Sequence, residues 1–218
     1  MKIFSNLATS LDGKIATASR VHFPLGTPAD RKMMITLRKQ CDVVIFGAST
    51  LRAFKKPCSV KGGNRAPWNA VISSTLEGFS TEWPFFKDTK LKRFLFVSEE
   101  TPRARIEKFS QNSTVIVLKK SSPPSTARQV VQQLAKLGAK RLLVEGGGGV
   151  MWDFVSENLI DEYYVTLTPR ILGGTEAPTL VEGLGFEPKE VINLKLKKVK
   201  KLGHELYLVY TKTKHRGP

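Results

Sequence analysis

Four consecutive glycines, Gly146 to Gly149, stand between an apolar run at Arg141–Val144 and a helical pattern that starts at Val150. Glycine in such numbers costs chain entropy, and it is tolerated where a ligand must come close to the backbone. A helix that opens there offers unpaired N–H groups to a phosphate. The run is not a G-x-G-x-x-G fingerprint, and no ribose-binding acid follows at the usual spacing. Glu145 closes the strand before the glycines. It either points into a ligand crevice or ends the strand in solvent. Gly47-Ala48-Ser49-Thr50 is a second strand end with small side chains, hydroxyls and free amides. It suits a phosphate or a ribose, and equally a helix cap. Ser73-Ser74 and Ser98 occupy similar places. Asp12-Gly13 reads as a turn. Arg38, late in a helix, either faces water and complements the dipole or binds a substrate phosphate.

Other chemistries are excluded by residue type. His22, His204 and His215 make no metal set with Cys41 and Cys58. Neither a G-x-S-x-G nucleophile elbow nor a zinc-deaminase signature is present. The 35 Lys and Arg against 19 Asp and Glu leave a net charge of +16, which attracts anions without choosing among them. The lysines from Lys195 to Lys214 alternate with Leu and Val and read as the solvated face of a hairpin. Aromatic residues do not interleave with them, so nucleic acid is not the expected partner. No apolar run reaches membrane-spanning length. The early Asn6, Ser10 and Asp12 rule out a signal-peptide core. Two cysteines in 218 residues point to a reduced, cytoplasmic chain.

The elements that would position these residues follow from periodicity. Ile3 to Ala8, Asp42 to Phe46, Ala70 to Ile72, Phe94 to Val97, Thr114 to Leu118, Arg141 to Val144 and Tyr163 to Leu167 read as strands. Their continuous apolar character is that of strands buried on both faces. Helices are expected at Pro28 to Gln40, Thr101 to Phe109, Ser125 to Leu137 and Val150 to Glu157, with Thr27 as an N-cap and Gly138 as a stop. The tail from Leu194 to Tyr210 reads as a hairpin turning at Leu202-Gly203-His204. Strands alternating with helices give one domain over 1–218 with a mainly parallel sheet, and ligands then sit beyond the carboxyl ends of the strands.

Four ordered blocks carry a family resemblance. They are Ser5-Asn6-Leu-Ala-Thr-Ser10-Leu-Asp-Gly-Lys-Ile-Ala-Thr17; Leu37-Arg38 with Asp42-Val-Val-Ile-Phe-Gly-Ala-Ser-Thr50; Leu143-Val-Glu-Gly-Gly147; and Leu159-Ile-Asp-Glu162 with Thr168-Pro-Arg-Ile-Leu-Gly-Gly-Thr-Glu-Ala-Pro178 and Gly183-Leu-Gly-Phe186. Together they resemble the reductases of riboflavin biosynthesis, both the C-terminal domain of the bifunctional bacterial deaminase-reductase and its free-standing archaeal and fungal relatives. The resemblance implies a three-layer, dihydrofolate-reductase-like α/β fold with a C-terminal antiparallel hairpin, usually as a homodimer. It implies NADPH as cofactor and a diaminopyrimidine ribosyl 5′-phosphate as substrate, whose ribosyl group is reduced to ribityl by hydride transfer to C1′. By the same resemblance Ala8, Gly47, Thr50, Ser73 and the run Gly147, Gly148, Gly149, Val150, Met151, Trp152, Asp153 contact the cofactor. Asn6, His22, Arg38 and Glu145 contact the substrate. No residue is assigned to proton transfer, which is left to water. The chain departs from the family after Thr50, where an acid is replaced by Leu-Arg-Ala-Phe54-Lys-Lys-Pro57. Lys61 and Arg65 are the nearest stand-ins for the family's phosphate-binding arginine. A related NADPH reductase acting on another pterin-like or imine substrate, and a non-catalytic anion- or nucleic-acid-binding module, are the alternative readings.

Overall fold

The computed structural model describes residues 1–21, 23–60, 66–119 and 125–213. His22, Lys61 and Arg65 therefore lie outside the described residues. Among the described residues nine strands form one sheet in the order β5-β4-β3-β2-β6-β1-β7-β9-β8. The parallel strands are β1 (Lys2–Thr9), β2 (Val43–Gly47), β3 (Trp68–Ser73), β4 (Arg93–Ser98), β5 (Thr114–Leu118), β6 (Arg141–Val144) and β7 (Glu162–Leu167). β8 (Leu194–Leu202) and β9 (Glu205–Lys212) make the antiparallel hairpin that closes on β7.

Successive strand residues point to opposite faces, and both faces are buried. Ile3, Val43, Ile45, Phe94, Phe96 and Leu142 enter one core with Val130, Leu134 and Phe154. Phe4, Val44, Phe46, Leu95 and Leu143 enter the other with Leu37, Phe85, Phe86 and Phe109. The first core is covered by α5 (Thr126–Lys136) and α6 (Gly148–Ser156). The second is covered by α1 (Pro28–Lys39), α2 (Ala48–Phe54), α3 (Pro84–Lys87) and α4 (Arg103–Ser110).

The helix at Pro28 is capped by Thr27, and the helix at Thr126 by Ser125. Three segments differ from the sequence reading. Gly148 and Gly149 are the first turn of α6 and not loop, because the turn is held from outside by Glu182, whose N–H donates to the Gly148 carbonyl at 3.1 Å. Ala48 to Phe54 is helical, so the second strand end opens directly into α2. α4 starts after Pro102, which fits proline at a helix entrance. β8 is exposed along its whole length, and its Lys197 is held by Glu162 at 2.9 Å.

Buried carboxylates tie distant segments together. Glu205 on β9 is 1% exposed and accepts from the Thr27 N–H at 2.8 Å, the Thr27 hydroxyl at 2.6 Å and the Tyr207 hydroxyl at 2.5 Å. It fixes the start of α1 against the far side of the sheet. Glu205→Ala leaves these donors without their acceptor. We expect it to cost about 1–3 kcal/mol and to lower the thermal midpoint by about 2–12 °C, read by calorimetry. Glu205→Gln, which keeps one carbonyl oxygen, should lose less.

Candidate active site

The carboxyl ends of four neighbouring strands, β3, β2, β6 and β1, carry most of the cofactor positions expected from the sequence. Ser73 ends β3, Gly47 ends β2 with Thr50 in the first turn of α2, Gly147 follows β6, and Ala8 is near the end of β1. The outer two strands are three strand spacings, about 14 Å, apart. The two glycine turns sit in the middle and are joined by the Gly47 N–H donating to the Gly146 carbonyl at 3.1 Å. Gly47 and Gly147 cap α2 and α6, and no side chain caps either helix. The first N–H groups of α6 therefore have no intrahelical or side-chain acceptor.

The glycines are not equivalent. Gly147 has φ +75°, and a Cβ on it would face the hydroxyls of Ser49 at 3.7 Å and Thr50 at 3.9 Å. Gly149 has open space where its Cβ would be, whereas a Cβ on Gly148 would lie 2.6 Å from the Thr179 carbonyl. Gly147 and Gly149 thus leave the turn open on one side, and Gly148 serves close packing. Further along α6, Val150 and Met151 are buried in the core, so only their backbone faces the turn. Trp152 packs on Phe186 with centroids 4.9 Å apart, beneath Gly183. Burial pushes the Asp153 carboxyl up to about 6.

Beside Ser73, a cleft of about 390 Å³ is lined by Ala48, Arg52, Ser74, Thr75 and Glu77. Ser73 Oγ accepts the Leu76 N–H at 3.0 Å, which leaves its own proton to donate. Arg52 is held by the Glu77 carbonyl at 3.0 Å. Arg52 belongs to the segment that departs from the family after Thr50, and the fold places it in this cleft.

At the other end, Arg38 is not a solvated helix residue. Its Nε donates to Glu145 Oε1 at 2.7 Å and its Nη2 to Oε2 at 2.5 Å, with both side chains largely buried. Burial works against the Arg38 charge, but the hydrogen bonds and charge of Glu145 outweigh it and raise its pKa. The Cys58 thiol lies 3.4 Å from Arg38 Nη2, and burial first, then the Glu145 charge, raises its pKa. Asn6 on β1 is 7% exposed, and its Oδ1 has no hydrogen-bond partner among the described residues. Asp30 was not a sequence candidate. It accepts the Thr166 hydroxyl at 2.6 Å, and Thr166 pairs in register with Ala8. An acid in a first helical turn reads as a dipole partner, and only the β1–β7 pairing reveals what stands opposite it.

The turn after β1 is structural. Asp12 accepts from Ser10 and from the Leu172 and Gly173 N–H groups, and these bonds, that from Ser10 foremost, hold it at about 2. Among the described residues no group of three or more His, Cys, Asp or Glu could hold a metal. Among the described residues no helix is long and apolar enough to cross a membrane.

A family model described as the RibD C-terminal domain matches residues 1–208. The 2,5-diamino-6-ribosylamino-4(3H)-pyrimidinone 5′-phosphate reductase of Methanothermobacter thermautotrophicus is 29% identical over 212 residues, covering 96% of this chain and 97% of that protein. A pyrimidine reductase-like protein of Corynebacterium diphtheriae superposes with a TM-score of 0.84 at 20% identity, over 98% of this chain and 92% of that one. Dihydrofolate reductase of Enterococcus faecalis, solved with NADP(H), superposes with a TM-score of 0.56 at 12% identity, over 97% and 96%. The fold expected from the sequence is the one observed, and the fold and family together point to a nicotinamide cofactor.

Substitutions in the glycine turn should separate cradle from packing. Gly148→Ala is expected to destabilise by about 1–3 kcal/mol through overpacking. Gly149→Ala should stabilise by up to about 1 kcal/mol through helix propensity. Urea unfolding with opposite shifts would support the distinction, and shifts of one sign would remove it.

Proposed function

The chain belongs to the RibD C-terminal domain family, and on that premise we propose that it reduces the ribosyl group of a diaminopyrimidine ribosyl 5′-phosphate to ribityl, with NADPH as the reductant, in riboflavin biosynthesis. The observation that carries this reading is the pair of joined, uncapped glycine turns midway between Ser73 and Ala8. A dinucleotide laid across β3-β2-β6-β1 would be held at its diphosphate by Gly147 and Gly149 and by the Ser49 and Thr50 hydroxyls. The Ser73 cleft would then hold its adenosine half, and Ala8 its nicotinamide. When bound there, the cofactor supplies the hydride.

The chain's own residues bind and orient. Arg52, with the Ser73 and Ser74 hydroxyls, suits the 2′-phosphate that distinguishes NADPH from NADH. The Arg38–Glu145 pair forms one wall of the substrate end, fixed by two hydrogen bonds. Asn6 presents an unpaired acceptor there. Because that acceptor is buried, a substrate N–H or hydroxyl gains a hydrogen bond without displacing a protein partner. A homodimer in the cytoplasm, without nucleic acid, belongs to the same proposal.

The deciding experiment is NADPH consumption in the presence of the diaminopyrimidine ribosyl phosphate. Turnover supports the reading, and absence of turnover with intact NADPH binding would redirect it to another imine or pterin-like substrate. Arg52→Ala should lower the preference for NADPH over NADH by about 10- to 100-fold, the loss of one charge-assisted phosphate contact. Fluorescence titration of the two cofactors reads this directly. An unchanged ratio would remove Arg52 from the site.

A further inference from the structure

We propose that Asp30 is the proton donor of this reduction, protonating the ring oxygen O4′ of the ribosyl group as the C1′–O4′ bond opens; the inference rests on the reductase reading above. Asp30 sits in the first turn of α1, with its Oδ1 accepting the Thr166 hydroxyl at 2.6 Å. Thr166 is 2% exposed and stands in register with Ala8, at the strand end where the nicotinamide is expected. Among the described residues the other carboxyl oxygen, Oδ2, makes no hydrogen bond and is available to a substrate.

The seat of this carboxyl is built. A Cβ on Gly26 would lie 2.3 Å from Asp30 Oδ2, so only glycine leaves room for it there. The next residue, Thr27, is clamped by Glu205, which fixes the turn that carries Asp30. The other acids are committed. Both oxygens of Glu145 are bound by Arg38, and Glu205 accepts three hydrogen bonds at 1% exposure. Of the three carboxyls at this end, Asp30 is the one with an oxygen to spare.

Its surroundings favour the protonated form. Burial raises the Asp30 pKa, the Thr166 hydrogen bond opposes this, and the charges of Glu205 and Glu145 add to the rise. The groups that bear on it are Glu145, just after β6, and Glu205 and Tyr207 on β9; Thr166 on β7 is neutral. Arg38 neutralises much of the Glu145 charge by its two hydrogen bonds.

The step balances. The proton moves from the Asp30 carboxyl to O4′, which keeps the electrons of the C1′–O4′ bond and becomes the 4′-hydroxyl. The nitrogen lone pair forms the C1′=N bond of an iminium. C1′ then accepts the hydride, and its π electrons return to nitrogen as a neutral amine. The Asp30 carboxylate regains its proton from water.

The test compares the unmodified protein with Asp30→Asn and Thr166→Val, following kcat from about pH 5 to 8 with NADPH and the diaminopyrimidine ribosyl phosphate. An acid that must be protonated gives a kcat that falls as pH rises through its pKa. Asp30→Asn should lose about 10²- to 10⁴-fold in kcat and lose that alkaline limb, while its NADPH affinity, read by fluorescence, stays within about twofold. Thr166→Val removes a hydrogen bond that favours the charged carboxylate, so it should move the limb to higher pH. The ¹³C resonance of the carboxyl should titrate with the same midpoint and shift with it. Asp30→Asn within about threefold of the unmodified kcat, or an alkaline limb that survives in it, would overturn the assignment. No turnover by the unmodified protein would instead overturn the substrate reading on which the assignment rests.

Discussion

The site depends on the insertion of β6 between β2 and β1. β6 is paired in parallel with both neighbours through Leu142, Leu143 and Val144. This places the glycine turn after Val144 beside the Gly47 turn, and the two are locked by the Gly47 N–H to Gly146 carbonyl bond. It also sets Glu145 within reach of Arg38, and β1 beside β7 with Ala8 opposite Thr166. Chain order in the sheet reverses here, with β2, β3, β4 and β5 running outward on one side of β6 and β1 and β7 lying on the other. A crevice at such a point is where open α/β sheets take their ligands.

The chain carries a net charge of +16, so cations outnumber acids. The acids nonetheless tie its elements together. Glu205 clamps the start of α1, Glu145 binds Arg38, and Glu162 receives Lys2, Lys197 and Tyr164. Burial opposes ionisation of Glu162, yet the bonds from Lys197, Lys2 and Tyr164 hold it at about 2. Each carboxylate is scarce and buried, and each joins elements far apart in sequence. Removal of one partner of such a bond leaves an unpaired buried group, which is why their geometry is fixed. The rigidity reaches the site, since the Glu205 clamp sets the turn from which Asp30 projects.

How much of this was legible follows from range. The strands at Val43, Phe94 and Arg141 and the caps Thr27 and Ser125 are local signals, and they stand where expected. α2 was not read as a helix because Gly47-Ala48-Ser49-Thr50 has the same residue types as a phosphate loop. Gly148 and Gly149 read as loop because glycine disfavours helix, yet the Glu182 N–H stabilises the turn from outside. Met151 and Trp152 fell within the cofactor run by resemblance, but their side chains are spent on packing.

The amino-acid order alone determined the class of fold, the positions of the glycine turns and the family, because these rest on local propensity, apolar periodicity and ordered blocks of residue types. Only the tertiary structure decided that Arg38 belongs to Glu145, that Arg52 faces the Ser73 cleft, that Asp30 meets Thr166 opposite Ala8 and that the Asn6 side-chain carbonyl is left unpaired among the described residues. Asp30 and Thr166 are 136 residues apart. Their contact follows from how parallel strands pair across crossovers, and no spacing within one segment encodes it.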